Sequence, residues 1–160
     1  YKRQYGTAFV IDDVAYICCG DNNGTLVDDL WKFDGSDWKQ LRDIANNDSD
    51  EDYDDDYAIT RAGTVSFVID GRGYIATGTR SGVTSDYWVY DPEEDLWYGD
   101  SDDDYTPMTN VHNVSSGGSS RSYAVSFSTG KRGFVLSGSS GTSYFDDVYE
   151  LLPYEQEDVD

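Results

Sequence analysis

Two runs of this 160-residue sequence carry enough carboxylates to hold a hard cation. Asp48-Ser49-Asp50-Glu51-Asp52-Tyr53 and Asp100-Ser101-Asp102-Asp103-Asp104-Tyr105 both place Asp48, Asp50, Asp52 or Asp100, Asp102, Asp104 at alternate positions, the oxygen spacing that opens a calcium loop. The sixth position is Tyr53 or Tyr105, where such loops need glycine, and no glutamate follows at the twelfth. A solvated, self-repelling loop is the favoured reading, with weak calcium binding the alternative. No other cofactor is expected. In the same loops Tyr53, Tyr57 and Tyr105 could offer stacking or contact surface to a sugar or a protein, since loops on rigid scaffolds carry function.

Other reactive side chains are few. His112 is the only histidine and lies in a poorly patterned stretch from Thr106 to Ser120, where a surface side chain is expected. Cys18 and Cys19 are the only cysteines; being adjacent, they give neither a disulfide framework nor metal spacing, and they read as strand fillers, one per face. No Gly-x-Ser-x-Gly elbow or phosphate loop is present. The chain supplies no catalytic constellation that sequence alone can recognise.

Composition decides the class of fold that must hold these residues. Ile, Leu, Val and Phe total 32 residues and the net charge is −21, on the border of disorder. Fourteen Tyr and four Trp restore enough apolar bulk for a packed core. Of the 32 acids, 26 are Asp, a residue that competes with helical backbone bonds and favours turns, so a helical bundle is not expected. Eleven basic residues in a field of −21 leave no basis for nucleic-acid binding. No apolar run is long enough to span a membrane. The sequence begins at Tyr1, which suggests that something upstream was removed.

The sequence repeats. Arg3, Arg61 and Arg121 each precede Phe9, Phe67 and Phe127 by six residues, and Tyr16, Tyr74 and Phe134 follow seven later. Gly20, Gly78 and Gly138 come next, then Asp29-Leu30-Trp31, Asp86-Tyr87-Trp88 and Asp147-Val148-Tyr149, with Trp38 and Trp97 closing the first two units. A period near 60 in three copies signals a repeat architecture. Alternation such as Val65, Phe67, Ile69 against Thr64, Ser66 marks strands with two distinct faces. Asp12-Asp13, Asp70-Gly71 and Gly130-Lys131 suit tight hairpins that need positive φ. Each unit therefore reads as a four-stranded meander, with the second strand ending at Gly20, Gly78 or Gly138 and the recurring tryptophans as packing residues, poor candidates for ligand contact.

This Arg…Phe…Tyr…Gly…Asp-x-Trp…Trp pattern resembles the kelch repeat, and in particular the kelch-type surface lipoproteins of Bacteroidetes. The resemblance implies an all-β, kelch-type β-propeller, with blades about 3–43, 61–99 and 121–152 and an acidic tail at 153–160. The third blade, having no closing Trp, is expected to lack its outer strand. Rings of this kind need four to eight blades, so the chain is expected to be half of a roughly six-bladed ring, the rest coming from a missing N-terminal segment or a second chain. The resemblance also puts Arg3, Arg61 and Arg121 at the mouth of a central channel, where guanidiniums could grip an anionic ligand. Alternatively each pairs with Asp29, Asp86 or Asp147 as part of the fold. A galactose-oxidase-like copper site is not expected, because that chemistry needs two histidines and a Cys-Tyr pair.

By that resemblance the expected function is a non-enzymatic binding module at an extracellular or outer-membrane surface, recognising a glycan or a protein through propeller-face loops. A kelch-type sugar mutarotase or epimerase is the enzymatic alternative, and a purely structural scaffold the third.

Overall fold

The computed structural model describes residues 2–45, 58–99, 110–113 and 119–152, with only the backbone of 110–113 and of Leu152. All regular structure there is β, in fourteen strands: β1 (Thr7–Ile11), β2 (Val14–Cys18), β3 (Asp21–Asn22), β4 (Thr25–Leu26), β5 (Leu30–Phe33), β6 (Trp38–Gln40), β7 (Val65–Ile69), β8 (Arg72–Ala76), β9 (Tyr87–Asp91), β10 (Leu96–Gly99), β11 (Asn110–Asn113), β12 (Val125–Ser128), β13 (Gly133–Leu136) and β14 (Val148–Leu152). They form three four-stranded antiparallel sheets, β1-β2-β5-β6, β7-β8-β9-β10 and β12-β13-β14-β11, and the small hairpin β3-β4. None of these sheets closes on itself. No helix among the described residues is long and apolar enough to cross a membrane.

The opening hairpins of the first two units turn where the sequence places them, whereas in the third the strands end at Ser128 and begin again at Gly133, and of Gly130-Lys131 only Gly130 takes positive φ. Asp12 and Asp13 both take positive φ (48° and 64°), as do Asp70 and Gly71 (49° and 76°), the backbone of a type I′ turn. The following strand stops two residues earlier than the sequence suggests, at Cys18, Ala76 and Leu136. The next residue, Cys19, Thr77 or Ser137, enters the left-handed region at φ 60°, 62° or 56°, and the glycine after it at 102°, 104° or 94°. Two consecutive left-handed residues cannot continue a strand. Cys19 is therefore a turn residue, not a strand filler.

The third unit differs from expectation in a second way. Its outer strand is present, but it comes from the connection before the unit rather than from the chain after it: β11 pairs antiparallel with β14, Asn110 opposite Leu152 and Asn113 opposite Tyr149. An uncovered β14 would present a row of unsatisfied N–H and C=O groups, and the long connection is free to supply partners. His112 thus lies in a strand.

Consecutive sheets stack face to face through a repeated joint. Phe9, Ile11, Tyr16, Cys18 and Leu30 of the first sheet form one core with Ile75, Tyr90 and Trp97 of the second. The second sheet's opposite face, with Phe67, Tyr74 and Val89, forms another with Val135, Tyr149 and Leu151 of the third. At each joint a phenylalanine stacks on its cross-strand aromatic (Phe9 on Tyr16 at 5.3 Å, Phe67 on Tyr74 at 5.7 Å) and lies against a glycine of the next sheet. A Cβ at Gly73 would overlap the Phe9 ring, and one at Gly133 the Phe67 ring. Glycine is required there by close approach, although its φ is ordinary.

That requirement is testable by urea denaturation. Gly73→Ala should lower stability by about 1–3 kcal/mol through overpacking. The register-equivalent Ala15, opposite Val10 as Gly73 is opposite Val68, should accept Ala15→Gly at a cost of about 1 kcal/mol or less. A Gly73→Ala variant as stable as the unmodified chain would mean the joint is loose.

Candidate functional site

The three arginines sit where their spacing puts them, just before the first strand of each sheet, but their side chains turn into the protein. Arg61 is fully buried and makes five hydrogen bonds: from Nε to the Ile59 carbonyl (3.0 Å), from Nη1 to the Thr77 carbonyl (3.0 Å) and Asp86 Oδ1 (2.9 Å), and from Nη2 to the Ala58 carbonyl (2.9 Å) and Asp86 Oδ2 (2.8 Å). A guanidinium has five N–H donors. All of them are committed within the fold, and none is left to grip a ligand.

Arg121 repeats the arrangement. It donates to the Ser119 carbonyl, the Ser137 carbonyl (2.7 Å) and both oxygens of Asp147 (2.6 and 3.0 Å), and its guanidinium packs 4.4 Å from the Phe145 ring centre and 4.2 Å from that of Tyr149. Arg3, half-buried, bonds the Cys19 carbonyl (3.1 Å) and Asp29. In all three units Nη1 reaches the carbonyl of the left-handed residue that ends the second strand. Pairing with the aspartate of the third-strand triplet is thus the geometry the structure has.

Titration follows from these contacts. The hydrogen bond from Arg121 holds the Asp147 carboxyl below the ordinary carboxylate range. Burial pushes the Tyr90 hydroxyl well up, and its bond to Asp95 adds to this. Cys18 and Cys19 are free and fully buried. The hydrogen bond with Cys19 and then burial push the Cys18 thiol up, the direction that disfavours the thiolate.

Tyr53, Tyr57, Tyr105, Asp48, Asp50, Asp52, Asp100, Asp102 and Asp104 lie outside the described residues. Among the described residues no three His, Cys, Asp or Glu side chains are grouped to hold a metal ion.

An opening lined by described residues lies on the first sheet. A cleft of about 320 Å³ is lined by Arg3, Ile17, Trp31 and Trp38. Cross-strand register places Val10, Ala15, Phe33 and Trp38 in one row of this face and Ile17 and Trp31 in the next. Trp38 stacks on Phe33 with centroids 4.9 Å apart and remains 54% exposed. Its counterpart Trp97, opposite Tyr90 as Trp38 is opposite Phe33, is only 3% exposed because the first sheet covers it.

The reading of the tryptophans as packing residues therefore holds for Trp88 and Trp97 and needs correction for Trp31 and Trp38. No signal in the repeat separates them, since Trp38 and Trp97 hold equivalent positions and only the sheet packed over Trp97 distinguishes the two. A second cavity, about 30 Å³ between the second and third sheets, is a packing gap too small for an organic ligand.

The chain matches no protein-family model, and no curated protein is significantly similar to it.

Two outcomes test the arginine clamps. Arg61→Ala removes the guanidinium from the half-buried Asp86 carboxylate and from the Ala58, Ile59 and Thr77 carbonyls, and should cost about 3 kcal/mol or more, read from the urea midpoint. Arg61→Lys should recover little, because an ammonium cannot reproduce the bidentate fork. Asp147, with a folded pKa below its unfolded value of about 3.9, contributes stability that is complete above that value. The contribution is lost as pH falls through the depressed folded pKa. Asp147→Asn should accordingly lower stability at neutral pH and flatten its fall below about pH 4.

Proposed function

We propose that the three sheets are consecutive blades of a kelch-type β-propeller and that the chain is a non-enzymatic binding module which recognises a neutral glycan in the Arg3, Ile17, Trp31, Trp38 cleft. The exposed Trp38 platform carries the reading. An indole held by stacking on Phe33 is a rigid apolar surface with little side-chain entropy left to lose, the kind of side chain that dominates binding sites. The cleft volume of about 320 Å³ is at the lower end of small-molecule sites, the size of one or two sugar rings.

Charge selects the class of glycan. Arg3 is paired with Asp29 and the chain carries −21 overall, so a sulfated or uronic-acid polymer is repelled, while sugar hydroxyls and C–H faces meet no such barrier. Among the described residues Arg3 is the one ionisable side chain lining the cleft. A mutarotase or epimerase would want an acid and a base there, which supports the non-enzymatic form. Display at a bacterial cell surface rests on the sequence resemblance alone, and the propeller on that resemblance together with the stacked, repeated sheets.

The reading is tested by titrating neutral and anionic oligosaccharides while following tryptophan emission. A neutral sugar should give a saturable change, and Trp38→Ala should weaken its binding by about tenfold or more, roughly 1.4 kcal/mol or above, with an unaltered melting temperature. If no neutral sugar perturbs the emission, the glycan reading fails. Binding that survives Trp38→Ala would move the site away from the cleft.

A further inference from the structure

Two residues after each arginine the chain takes the same left-handed step. Tyr5, Gly63 and Tyr123 have φ of 58°, 63° and 55°. Backbone bonds link them in a row: the Gly63 N–H donates to the Tyr5 carbonyl (3.0 Å) and the Tyr123 N–H to the Gly63 carbonyl (2.9 Å). The rings of Tyr5 and Tyr123 meet edge to face, with centroids 5.2 Å apart and planes at 74°. Gly63 leaves room for that contact, since a Cβ there would come within 2.9 Å of the Tyr123 ring.

The backbone at these positions does not call for tyrosine. A bulky residue is disfavoured in the left-handed region, where glycine is at ease, and the second unit has glycine. Burial does not offset the cost, because Tyr5 stays 52% exposed and Tyr123 58%. What the two tyrosines provide is a braced pair of rings at the surface, each with an apolar body and a polar hydroxyl. Large contact area with little side-chain freedom to lose is what suits tyrosine to binding surfaces.

The pair adjoins the cleft on the first sheet. Arg3 lines that cleft, and Tyr5 follows it by two residues, a span of at most about 7 Å. A ligand slightly longer than the cleft can hold therefore has a second aromatic surface within reach. We propose that Tyr5 and Tyr123 extend the site: the ligand is a neutral oligosaccharide whose first rings occupy the Arg3, Ile17, Trp31, Trp38 cleft and whose further rings stack on the tyrosine pair. This rests on the glycan reading and adds to it a selection for chain length. Trp38 holds short and long ligands alike, and the tyrosines tell them apart.

Calorimetric titration of neutral gluco-, manno- and galacto-oligosaccharides, from disaccharide to hexasaccharide, tests this. In a series that binds, the hexasaccharide should bind about tenfold or more tightly than the disaccharide. Tyr5→Gly and Tyr123→Gly, which give those units the residue the second unit already has, should remove that gain and leave disaccharide affinity within about twofold. Trp38→Ala should weaken both. Should a glycine variant melt early, Tyr5→Asn or Tyr123→Asn, which also tolerates left-handed backbone, is read in its place with the same expectation. Affinity that does not rise with chain length overturns the extension and leaves the cleft reading standing. So do tyrosine variants with an unaltered melt that bind the hexasaccharide as the unmodified chain does. Tyrosine variants that lose the disaccharide as strongly as the hexasaccharide overturn it too, because the pair would then act on the cleft itself. If no series binds at all, both readings fall together.

Discussion

An arginine clamp holds each unit together, fully buried at Arg61 and Arg121 and half-buried at Arg3, and the rest of the structure is arranged around it. Arg61 sends its side chain to the strand-ending Thr77 carbonyl and to Asp86 of its own sheet, while its backbone carbonyl accepts the N–H of Gly20 from the sheet before. One residue thus fixes the end of a strand, the start of another, and the spacing between sheets. Such a charge is tolerable away from water only because every donor is satisfied. The arrangement also explains why Cys19, Thr77 and Ser137 adopt left-handed backbone: it aims their carbonyls at the arginine of their own unit. The hydroxyl of Thr77 makes no hydrogen bond among the described residues, so its conformation is held by the backbone and not by its side chain.

With the strand ends clamped, the faces between sheets are left to apolar packing. A phenylalanine stacked on its cross-strand neighbour and seated on a glycine repeats at both joints, and the non-directional gain from burying those rings, about 1.5–3 kcal/mol each, acts on sheets that the arginines have already positioned. The division of labour is physical. Hydrogen bonds to charge are directional and set geometry, whereas ring burial supplies most of the cohesion. Among the described residues, Trp38 of the first sheet and Phe127 of the third are rings that stay exposed while their counterparts in the second sheet are buried.

Much of this was legible in the residue pattern. The 58- to 60-residue recurrence of arginine, phenylalanine, glycine and Asp-x-Trp gave three sheets, their strand order within a unit and the first two hairpin turns, since period-two alternation and turn chemistry are local properties. The pairing of each arginine with its third-strand aspartate was also one of the two open alternatives. The cleft was not legible. Trp38 and Trp97 occupy equivalent positions and look alike in sequence, and only the presence of a neighbouring sheet over one of them makes the other a surface. β11 was missed for the same kind of reason: Asn110–Asn113 has no alternating pattern, and it is a strand because β14 offers it an unsatisfied edge.

The sequence by itself determined the repeat, the all-β class and the left-handed glycines, because those follow from spacing and from the backbone freedom of particular residue types. Tertiary structure alone decided which arginines are spent inside the fold, which tryptophans face solvent, and where the third sheet finds its fourth strand. Each of these depends on what lies across a joint or beside an edge, and that is set by residues some 40 to 60 positions away. Exposure is a property of neighbours, and neighbours are chosen by the fold.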